Sequence, residues 1–334
     1  MKTYKYLFVL TFVALFITSC TYQQNDDKKT NSSLLTNQYL GQKPPGITPE
    51  LFAPGIVSTI YHEHSAPNFS PDGAILVYTL TCEHIHVIME MKLENGKWSI
   101  PKPVPFSGKY DDDGHVWSND GSKLYFRSRR PLNDTLDNKY HNWVVSRNDT
   151  GWLEPEPNSF SAYSFSKTGM NYCYFENKET GWDIFKSQKI NGYRDYIKLD
   201  TNINSKDTDA TPYVSKDEKY LIFASKGRDD AIGIMDLYIS FKKDNGVWTK
   251  AKNMGEPINT IGHVSRFPRV SPDGKYLFYW SNIKNDQTAI DSLSMIEETL
   301  KIYSPWRPEN GKDGDIYWID AKIIEQLKPT DLNY

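Results

Sequence analysis

The sequence predicts an all-β fold, a β-propeller built from four-stranded blades. The main observation is a phrase that recurs about every 50 residues: an aromatic or apolar residue, then Ser, then a turn that usually ends in Gly. The second observation is the short strand pattern of aromatic and aliphatic residues behind each copy. One four-stranded sheet cannot bury both of its faces, whereas several sheets arranged around an axis can.

Composition places the chain among folded proteins and narrows its partners. Of 334 residues, 38% are hydrophobic and 24% are charged, which excludes a disordered chain. The net charge of −3 comes from well-mixed signs and leaves no basic field, so we expect no nucleic-acid partner. The three cysteines are too few for a disulfide scaffold, and Cys82 and Cys173 are predicted to be buried free thiols.

The first residues predict an export signal. Lys2 and Lys5 precede an apolar run over 6–17 that is too short to span a bilayer comfortably, which predicts a signal peptide over 1–19. The run ends in Ile-Thr-Ser-Cys, and this ending resembles the bacterial lipobox. The resemblance implies that Cys20 is acylated, becomes the mature N-terminus and provides the chain's only attachment to the membrane. A signal anchor with an incidental cysteine is the alternative.

A polar segment over 20–43 predicts a flexible tether between the lipid and the folded domain. Its start, from Gln23 to Asp27, resembles the acidic export signals of surface lipoproteins in the Bacteroidetes group. This resemblance implies a lipid-anchored protein of the bacterial outer membrane. The cell surface and the periplasmic face both stay open, because a plain solvated spacer has the same composition.

Five repeat units follow within one predicted propeller domain over 44–330. Their turn phrases are Phe69-Ser70-Pro71-Asp72-Gly73, Trp117-Ser118-Asn119-Asp120-Gly121, Phe165-Ser166-Lys167-Thr168-Gly169, Val214-Ser215-Lys216-Asp217-Glu218 and Val270-Ser271-Pro272-Asp273-Gly274. A third strand and a second hairpin recur in the first four units, so each blade is expected to hold four antiparallel strands.

The last unit predicts how the propeller closes. It has a third strand at 315–318 with no fourth strand behind it, while Glu50-Leu51-Phe52-Ala53-Pro54 precedes the first unit without a unit of its own. We expect this N-terminal strand to complete the last blade and remove its free edge. An insertion over 282–314 leaves room for a sixth blade.

The Ser-Pro-Asp-Gly turn with its Leu-Tyr-Phe strand resembles the WD40-like PD40 repeats of TolB-like propellers, over about residues 50–320. The copies at Ser166 and Ser215 depart from the pattern, and family members often have six blades where five units are found here. The resemblance implies a module that chiefly contacts other proteins. Some propellers similar to the PD40 type are oligouronide lyases that use channel histidines, an arginine and a divalent metal.

Candidate functional residues collect on one face of the predicted propeller. If the strands of a blade are named a to d from the channel outward, this face carries the b–c and d–a connections and all seven histidines, either on it or close to it. The candidate binding residues are His62, Glu63, His64, His84, His86, Asp112, His115, His141, His263, Arg266 and Arg269. Imidazoles and carboxylates can hold a divalent metal, and a His beside an Arg can act as a base toward an anionic substrate.

Two spacings stand out among these residues. His62 and His64, like His84 and His86, are two apart, which would place both rings on one side of an extended strand. Neither pair has a diagnostic third metal ligand nearby. His115 replaces the proline that three of the other four inner strands carry, so we expect its imidazole to face the channel.

The sequence favours a binding function over catalysis. The leading hypothesis is a lipid-anchored extracytoplasmic propeller that binds a protein partner or a glycan of the envelope through its polar mouth. The alternative is a metal-dependent lyase or hydrolase acting on acidic oligosaccharides there, and the third is a purely structural subunit. The sequence contains neither a Gly-x-Ser-x-Gly nucleophile elbow nor a glycine-rich phosphate loop.

Overall fold

The protein is described by a computed structural model over residues 38–59, 61–82, 84–132, 139–190, 193–283, 314–330 and 332. These residues form five antiparallel sheets arranged as a β-propeller, which confirms the predicted fold class. Cys20, the signal peptide and residues 284–313 of the predicted insertion lie outside the described residues. No helix in the described part of the chain is long and apolar enough to cross a membrane.

The strands follow the repeat units, and the first of them, β1 (Glu50–Leu51), belongs to the last blade. Blade 1 holds β2 (Glu63–Phe69), β3 (Ile75–Cys82), β4 (Ile85–Glu94), β5 (Lys97–Trp98) and β6 (Lys102–Pro103). Blade 2 holds β7 (Asp112–Trp117), β8 (Lys123–Ser128), β9 (His141–Asn148), β10 (Gly151–Trp152) and β11 (Glu156–Pro157).

Blade 3 holds β12 (Ser164–Phe165), β13 (Asn171–Asn177), β14 (Gly181–Ile190) and β15 (Tyr193–Lys198). Blade 4 holds β16 (Asp209–Val214), β17 (Tyr220–Ser225), β18 (Asp236–Phe241) and β19 (Lys252–Asn253). Blade 5 holds β20 (Ser265–Val270), β21 (Tyr276–Ser281) and β22 (Asp315–Asp320), and a short helix α1 (Lys322–Leu327) follows it.

The first strands of the blades surround the central channel. Strand β2 contacts β7 and β20, and β16 contacts β12 and β20. Four of these inner strands contain a register shift. In three of them a residue with positive φ lies within the shifted segment: Gly114 (66°), Thr211 (51°) and Phe267 (56°). Such bulges leave a backbone N–H out of the ladder, which suits the prolines that follow Thr211 and Phe267.

The chain ends close the propeller as predicted. Strand β1 pairs antiparallel with β22, with Glu50 opposite Trp318 and Leu51 opposite Tyr317. The Phe52 N–H continues the ladder by donating to the carbonyl of Ile316 at 2.9 Å. The last blade therefore takes its outer strand from the start of the domain, which joins the two ends without a covalent bond.

The segment just before β1 also packs against the propeller. Tyr39 and Leu40 fall within the predicted tether, yet they are 9% and 1% exposed. The Tyr39 ring contacts the rings of Phe69 and Tyr276, and its hydroxyl donates to Oδ1 of Asp273 at 2.7 Å. Blades 1 and 5 are thus held together by residues that composition alone assigned to a spacer.

The hydrophobic core lies between neighbouring blades. Trp152 of blade 2 donates from Nε1 to Glu90 of blade 1 at 2.8 Å, and Trp248 of blade 4 meets the Tyr172 ring of blade 3 edge-on. Cys82 and Cys173 are buried free thiols, which confirms that prediction. Each blade is therefore fixed mainly by its neighbours, as expected for radial sheets.

Candidate binding site at the histidine mouth

One end of the channel gathers polar side chains from blades 1 and 2. The start of β2, the start of β4, the start of β7 and the approach to β9 all lie at this end, since the strands of a blade alternate in direction. They bring together five residues that we call the histidine mouth: His64, His86, Asp111, Asp113 and Tyr140.

Two imidazoles are stacked at this mouth. The ring centroids of His64 and His86 are 3.9 Å apart with an interplanar angle of 39°, and the two side chains are 17% and 20% exposed. The His62 ring lies 6.1 Å from that of His64. His84 differs from the expected pattern, because it lies exposed in the turn before β4 with φ of 75°. His86 stacks on His64, which belongs to a different strand.

Asp111 holds His86 in place. Its Oδ1 lies 2.7 Å from Nδ1 of His86 and accepts from the His86 backbone N–H at 2.9 Å. Its Oδ2 accepts from the Tyr140 hydroxyl at 2.6 Å and lies 3.2 Å from Nε of Arg129. Burial would raise the pKa of Asp111, but the hydrogen bonds from His86 and Tyr140 hold it below its ordinary value. Asp111 is therefore an ionised clamp at neutral pH.

Asp113 plays the same part toward His64. Its Oδ2 lies 2.7 Å from Nη2 of Arg127 and 3.7 Å from Nε2 of His64. Burial would raise the pKa of Asp113, but His64 and Arg127 hold it well below its ordinary value. Burial also lowers the pKa of His64, against the opposing effect of Asp113, which favours a neutral imidazole at neutral pH. Arg127 is thus the permanent cation that balances this carboxylate.

Two predicted site residues are buried supports. Glu63 is fully buried, its Oε1 accepts from the Thr59 N–H at 3.0 Å, and its carbonyl accepts from Nε1 of Trp280. Asp112 lies 2.9 Å from Nη2 of Arg130, and both side chains are almost entirely covered. These contacts fix the backbone where β2 and β7 begin. Both acids therefore support the histidine mouth indirectly, by holding the strands that carry its side chains.

The other predicted histidines occupy separate places. His115 is 3% exposed, and its Nε2 lies 3.3 Å from Oγ of Ser65. Burial and the nearby Arg269 lower the pKa of His115 to about 4, so the ring is neutral at pH 7. His141 is half-buried at the start of β9. His263 lies in the loop before β20, with Nδ1 3.1 Å from the carbonyl of Asn282.

The two predicted arginines of β20, Arg266 and Arg269, lie toward opposite ends of the channel. The Arg266 guanidinium lies over the rings of Phe267 and Trp280 at 4.6 and 4.5 Å and is close enough to His64 to lower its pKa. Arg269 instead lines a cavity at the opposite end of the channel. A strand rises about 3.3 Å per residue, so three positions along β20 carry a side chain about 10 Å farther down the channel.

Solved structures resemble this chain only over part of its length. No protein-family model and no curated protein matches the sequence. A TolB candidate from Agrobacterium tumefaciens is 19% identical, with a TM-score of 0.43 over 67% of this chain and 70% of that one. TolB from Acinetobacter baumannii is 13% identical, with a TM-score of 0.43 over 78% of this chain and 57% of that one.

An enzyme is among the structures with similar scores. The sucrose-6-phosphate hydrolase from Lactobacillus gasseri is 13% identical, with a TM-score of 0.44 over 71% of this chain and 59% of that one. At these identities and TM-scores the likeness says nothing about function. The site must therefore be interpreted from its own residues.

A divalent metal does not fit the described part of the mouth. No group of three or more His, Cys, Asp or Glu side chains in the described ranges is arranged to hold a metal ion. The reason is visible in the pairing, because the carboxylates of Asp111 and Asp113 are held by Arg129 and Arg127. A metal would have to displace these guanidinium groups before it could use either carboxylate.

Sequence reasoning missed Tyr140 as a member of the mouth. Its ring lies beneath the guanidinium groups of Arg127 and Arg129, at 5.2 and 4.7 Å, and its hydroxyl donates to Asp111. Burial and the bond to Asp111 raise the pKa of Tyr140, so the phenol stays protonated. The signal that could have found it is its position directly before His141 at a b–c connection.

Proposed function

We propose that this protein is a lipid-anchored binding module of the bacterial cell envelope that holds a protein partner at the histidine mouth. The observation that carries the proposal is the stack of His64 on His86, with each ring beside its own aspartate. Side chains that are fixed before binding lose little conformational entropy when a partner arrives. A preformed, partly exposed cluster of His, Tyr and Arg therefore suits recognition.

The charge state of the mouth supports binding over catalysis. A general acid or base works best when its pKa lies near the operating pH. Asp111 and Asp113 have pKa values below the ordinary range and are engaged by arginines. Both carboxylates are thus committed to holding the site together.

The aromatic faces at the mouth support a protein partner over a glycan. Sugar rings are commonly bound by stacking on an open aromatic face. Here the Tyr140 ring lies under Arg127 and Arg129, and Trp280 is 4% exposed beneath Arg266. Arg and Tyr are the side chains that dominate protein interfaces, and they are the ones presented here.

The lipid anchor and the outer-membrane location rest on the sequence around Cys20. Metabolic labelling with an alkyne fatty acid tests the anchor, and a Cys20→Ala variant should abolish the label. Protease digestion of intact cells then separates the cell surface from the periplasmic face, because only a surface-exposed chain is cut. Labelling of the Cys20→Ala variant would contradict the anchor.

Quantitative co-purification from the native host tests the binding function. Lys139, the exposed residue before Tyr140, is replaced by Trp to obstruct the histidine mouth. The matched control is Lys243→Trp, at another exposed lysine, in a hairpin of the opposite face. We expect Lys139→Trp to reduce the recovered partner about tenfold, which corresponds to about 1.4 kcal/mol. Equal recovery with both variants would overturn the proposal.

A hydrolase or lyase acting on acidic oligosaccharides is the second candidate, and one observation favours it. Asp111 bound to Nδ1 of His86 is the arrangement that orients an imidazole as a general base. Incubation with polyuronates, followed by ultraviolet detection of unsaturated products, tests it. Activity that His86→Ala abolishes would establish the enzyme and displace the binding function.

A further inference from the structure

The opposite end of the channel is ringed by the repeated turns. The residue after each turn serine lies at this end, and we call these five residues the turn mouth: Pro71, Asn119, Lys167, Lys216 and Pro272. Nζ of Lys216 donates to Oδ1 of Asn119 at 2.8 Å, and the Lys167 N–H donates to the carbonyl of Lys216 at 2.7 Å. The rim is thus fixed by contacts between blades 2, 3 and 4.

A cavity of about 300 Å³ lies behind this rim. Its walls include Phe69, Trp117 and Phe165, all buried, and Tyr163 and Arg269 also line it. Binding pockets for small ligands are typically this large, mostly apolar, and provided with a few convergent polar groups. The cavity therefore offers aromatic walls and one buried guanidinium, with two lysines at its rim.

Arg269 lacks the partner that a buried cation normally has. It is 9% exposed, and its guanidinium lies 4.6 Å from the Tyr163 ring. Within the described residues it forms no ion pair, and its one hydrogen bond runs from Nη1 to the carbonyl of Pro268. Four other arginines of the propeller lie beside a carboxylate, in the pairs Arg127–Asp113, Arg129–Asp111, Arg130–Asp112 and Arg228–Asp209.

The surroundings leave this positive charge unbalanced. Among the residues that the structure describes, no Asp or Glu lines the cavity, while Lys167 and Lys216 lie at its rim. Burial and the nearby Arg269 lower the pKa of His115 to about 4, so this ring is neutral. Burial raises the pKa of Tyr163 and of Tyr213, so both phenols carry no charge. A buried unpaired charge is costly, which makes an anion from outside the chain its natural partner.

We propose that the turn mouth binds an organic carboxylate, with the carboxylate on Arg269 and an apolar or aromatic body between Phe69, Trp117 and Phe165. A guanidinium matches a carboxylate through two parallel hydrogen bonds. The cavity has room for about one amino-acid side chain or one small acid. Either a free metabolite or the C-terminus of a peptide would present this chemistry.

Calorimetric titration of the full chain in detergent tests the proposal. The probes are phenylacetate and its neutral counterpart phenylacetamide. We expect the acid to bind about tenfold more tightly than the amide, because only the acid forms charge-assisted hydrogen bonds. Equal binding of the two, or binding of inorganic phosphate as strong as that of phenylacetate, would overturn the proposal.

Substitutions test whether the acid binds in this cavity. Arg269→Met should abolish the preference for the acid, and its melting temperature should not fall, because an unpaired buried cation is removed. Lys167→Gln with Lys216→Gln, at the exposed rim, should weaken the acid about threefold through the loss of attraction. Lys243→Met removes an exposed lysine elsewhere and serves as the control. An acid preference that survives Arg269→Met would contradict the assignment.

A peptide arm distinguishes the two sources of the carboxylate. N-acetyl-Ala-Phe with a free C-terminus is compared with its C-terminal amide and with phenylacetate. Tighter binding of the free peptide than of phenylacetate assigns the site to a peptide C-terminus, and weaker binding assigns it to a small acid. This proposal stands apart from the partner at the histidine mouth, since neither titration involves His64 or His86.

Discussion

Oδ1 of Asp111 lies 2.7 Å from Nδ1 of His86, and this contact joins blade 2 to blade 1 at the rim of the channel. The carboxylate accepts a second bond from the His86 backbone, so it fixes the strand as well as the ring. Its other oxygen is bound by Tyr140 and Arg129. The His86 side of the histidine mouth is thus ordered by one carboxylate that four groups share.

Asp111→Asn should therefore weaken both the fold and the mouth. The amide keeps the size of the side chain but loses its charge and one acceptor oxygen, which should lower the free energy of unfolding by about 1–3 kcal/mol. Urea denaturation measures this change. Asp149→Asn, at an exposed hairpin turn, is the matched control and should change stability by less than about 0.5 kcal/mol. Equal losses in both variants would contradict the role of Asp111.

Stability should fall as the pH is lowered from about 6.5 to about 4. The pKa of His115 falls to about 4 in the folded protein, so between these values the unfolded chain binds a proton that the folded one does not. More protons bound by the unfolded state means that stability increases with pH. The shift corresponds to about 3 kcal/mol at its full extent.

His115→Gln should flatten this pH dependence, because glutamine does not titrate. Urea denaturation at pH 7, 5.5 and 4.5 measures the slope in each variant. His84→Gln removes an exposed histidine and serves as the control. A slope unchanged in His115→Gln would show that His115 is not the group responsible.

Leu40→Ala should destabilise the closed propeller. Leu40 is 1% exposed between the first and last blades, and truncation of a buried leucine costs about 2–5 kcal/mol. Ile47→Ala is the control, since Ile47 lies seven residues later and is 56% exposed. Thermal unfolding should show a clear drop for the first variant only. Identical melting temperatures would mean that residues before β1 do not hold the blades.

Gly114→Ala should disturb the pair of Arg127 with Asp113. Gly114 has φ of 66°, and an added Cβ would lie 2.9 Å from Nε of Arg127. Gly169→Ala supplies the control, because Gly169 also has positive φ (84°) but open space at its Cβ position. In both variants the alanine adds backbone strain of about 1 kcal/mol. Only Gly114→Ala should lower the free energy of unfolding by more than this, as measured by chemical denaturation. Equal losses would indicate strain alone.

The propeller and its closure could be predicted because the sequence repeats the same turn and strand pattern in each blade. Each turn and strand recurs, and a missing outer strand in the last unit matched an extra strand at Glu50. The point where the tether ends and the folded domain begins could not be predicted from the repeats, because Tyr39 and Leu40 are isolated apolar residues in a polar stretch. Their burial depends on a gap between blades 1 and 5 that only the assembled fold creates.

The histidine mouth could be predicted as a place but not as a set of contacts. Spacing suggested a pair of His84 with His86, whereas a turn at His84 leaves His86 to stack on His64. Arg269 was grouped with this mouth because chain position does not show how far an inner strand descends. The lysines at 167 and 216 looked like departures from the repeat, although both occupy the same position of the turn.

Site-specific photo-crosslinking in living cells tests the central claim most directly. A photoreactive phenylalanine analogue is placed at Lys139 beside the histidine mouth, and in a parallel strain at Lys243 on the opposite face. The binding function predicts a discrete crosslinked protein adduct from position 139 that position 243 does not give. The absence of an adduct at 139, or the same adducts from both positions, would contradict a protein partner at the histidine mouth.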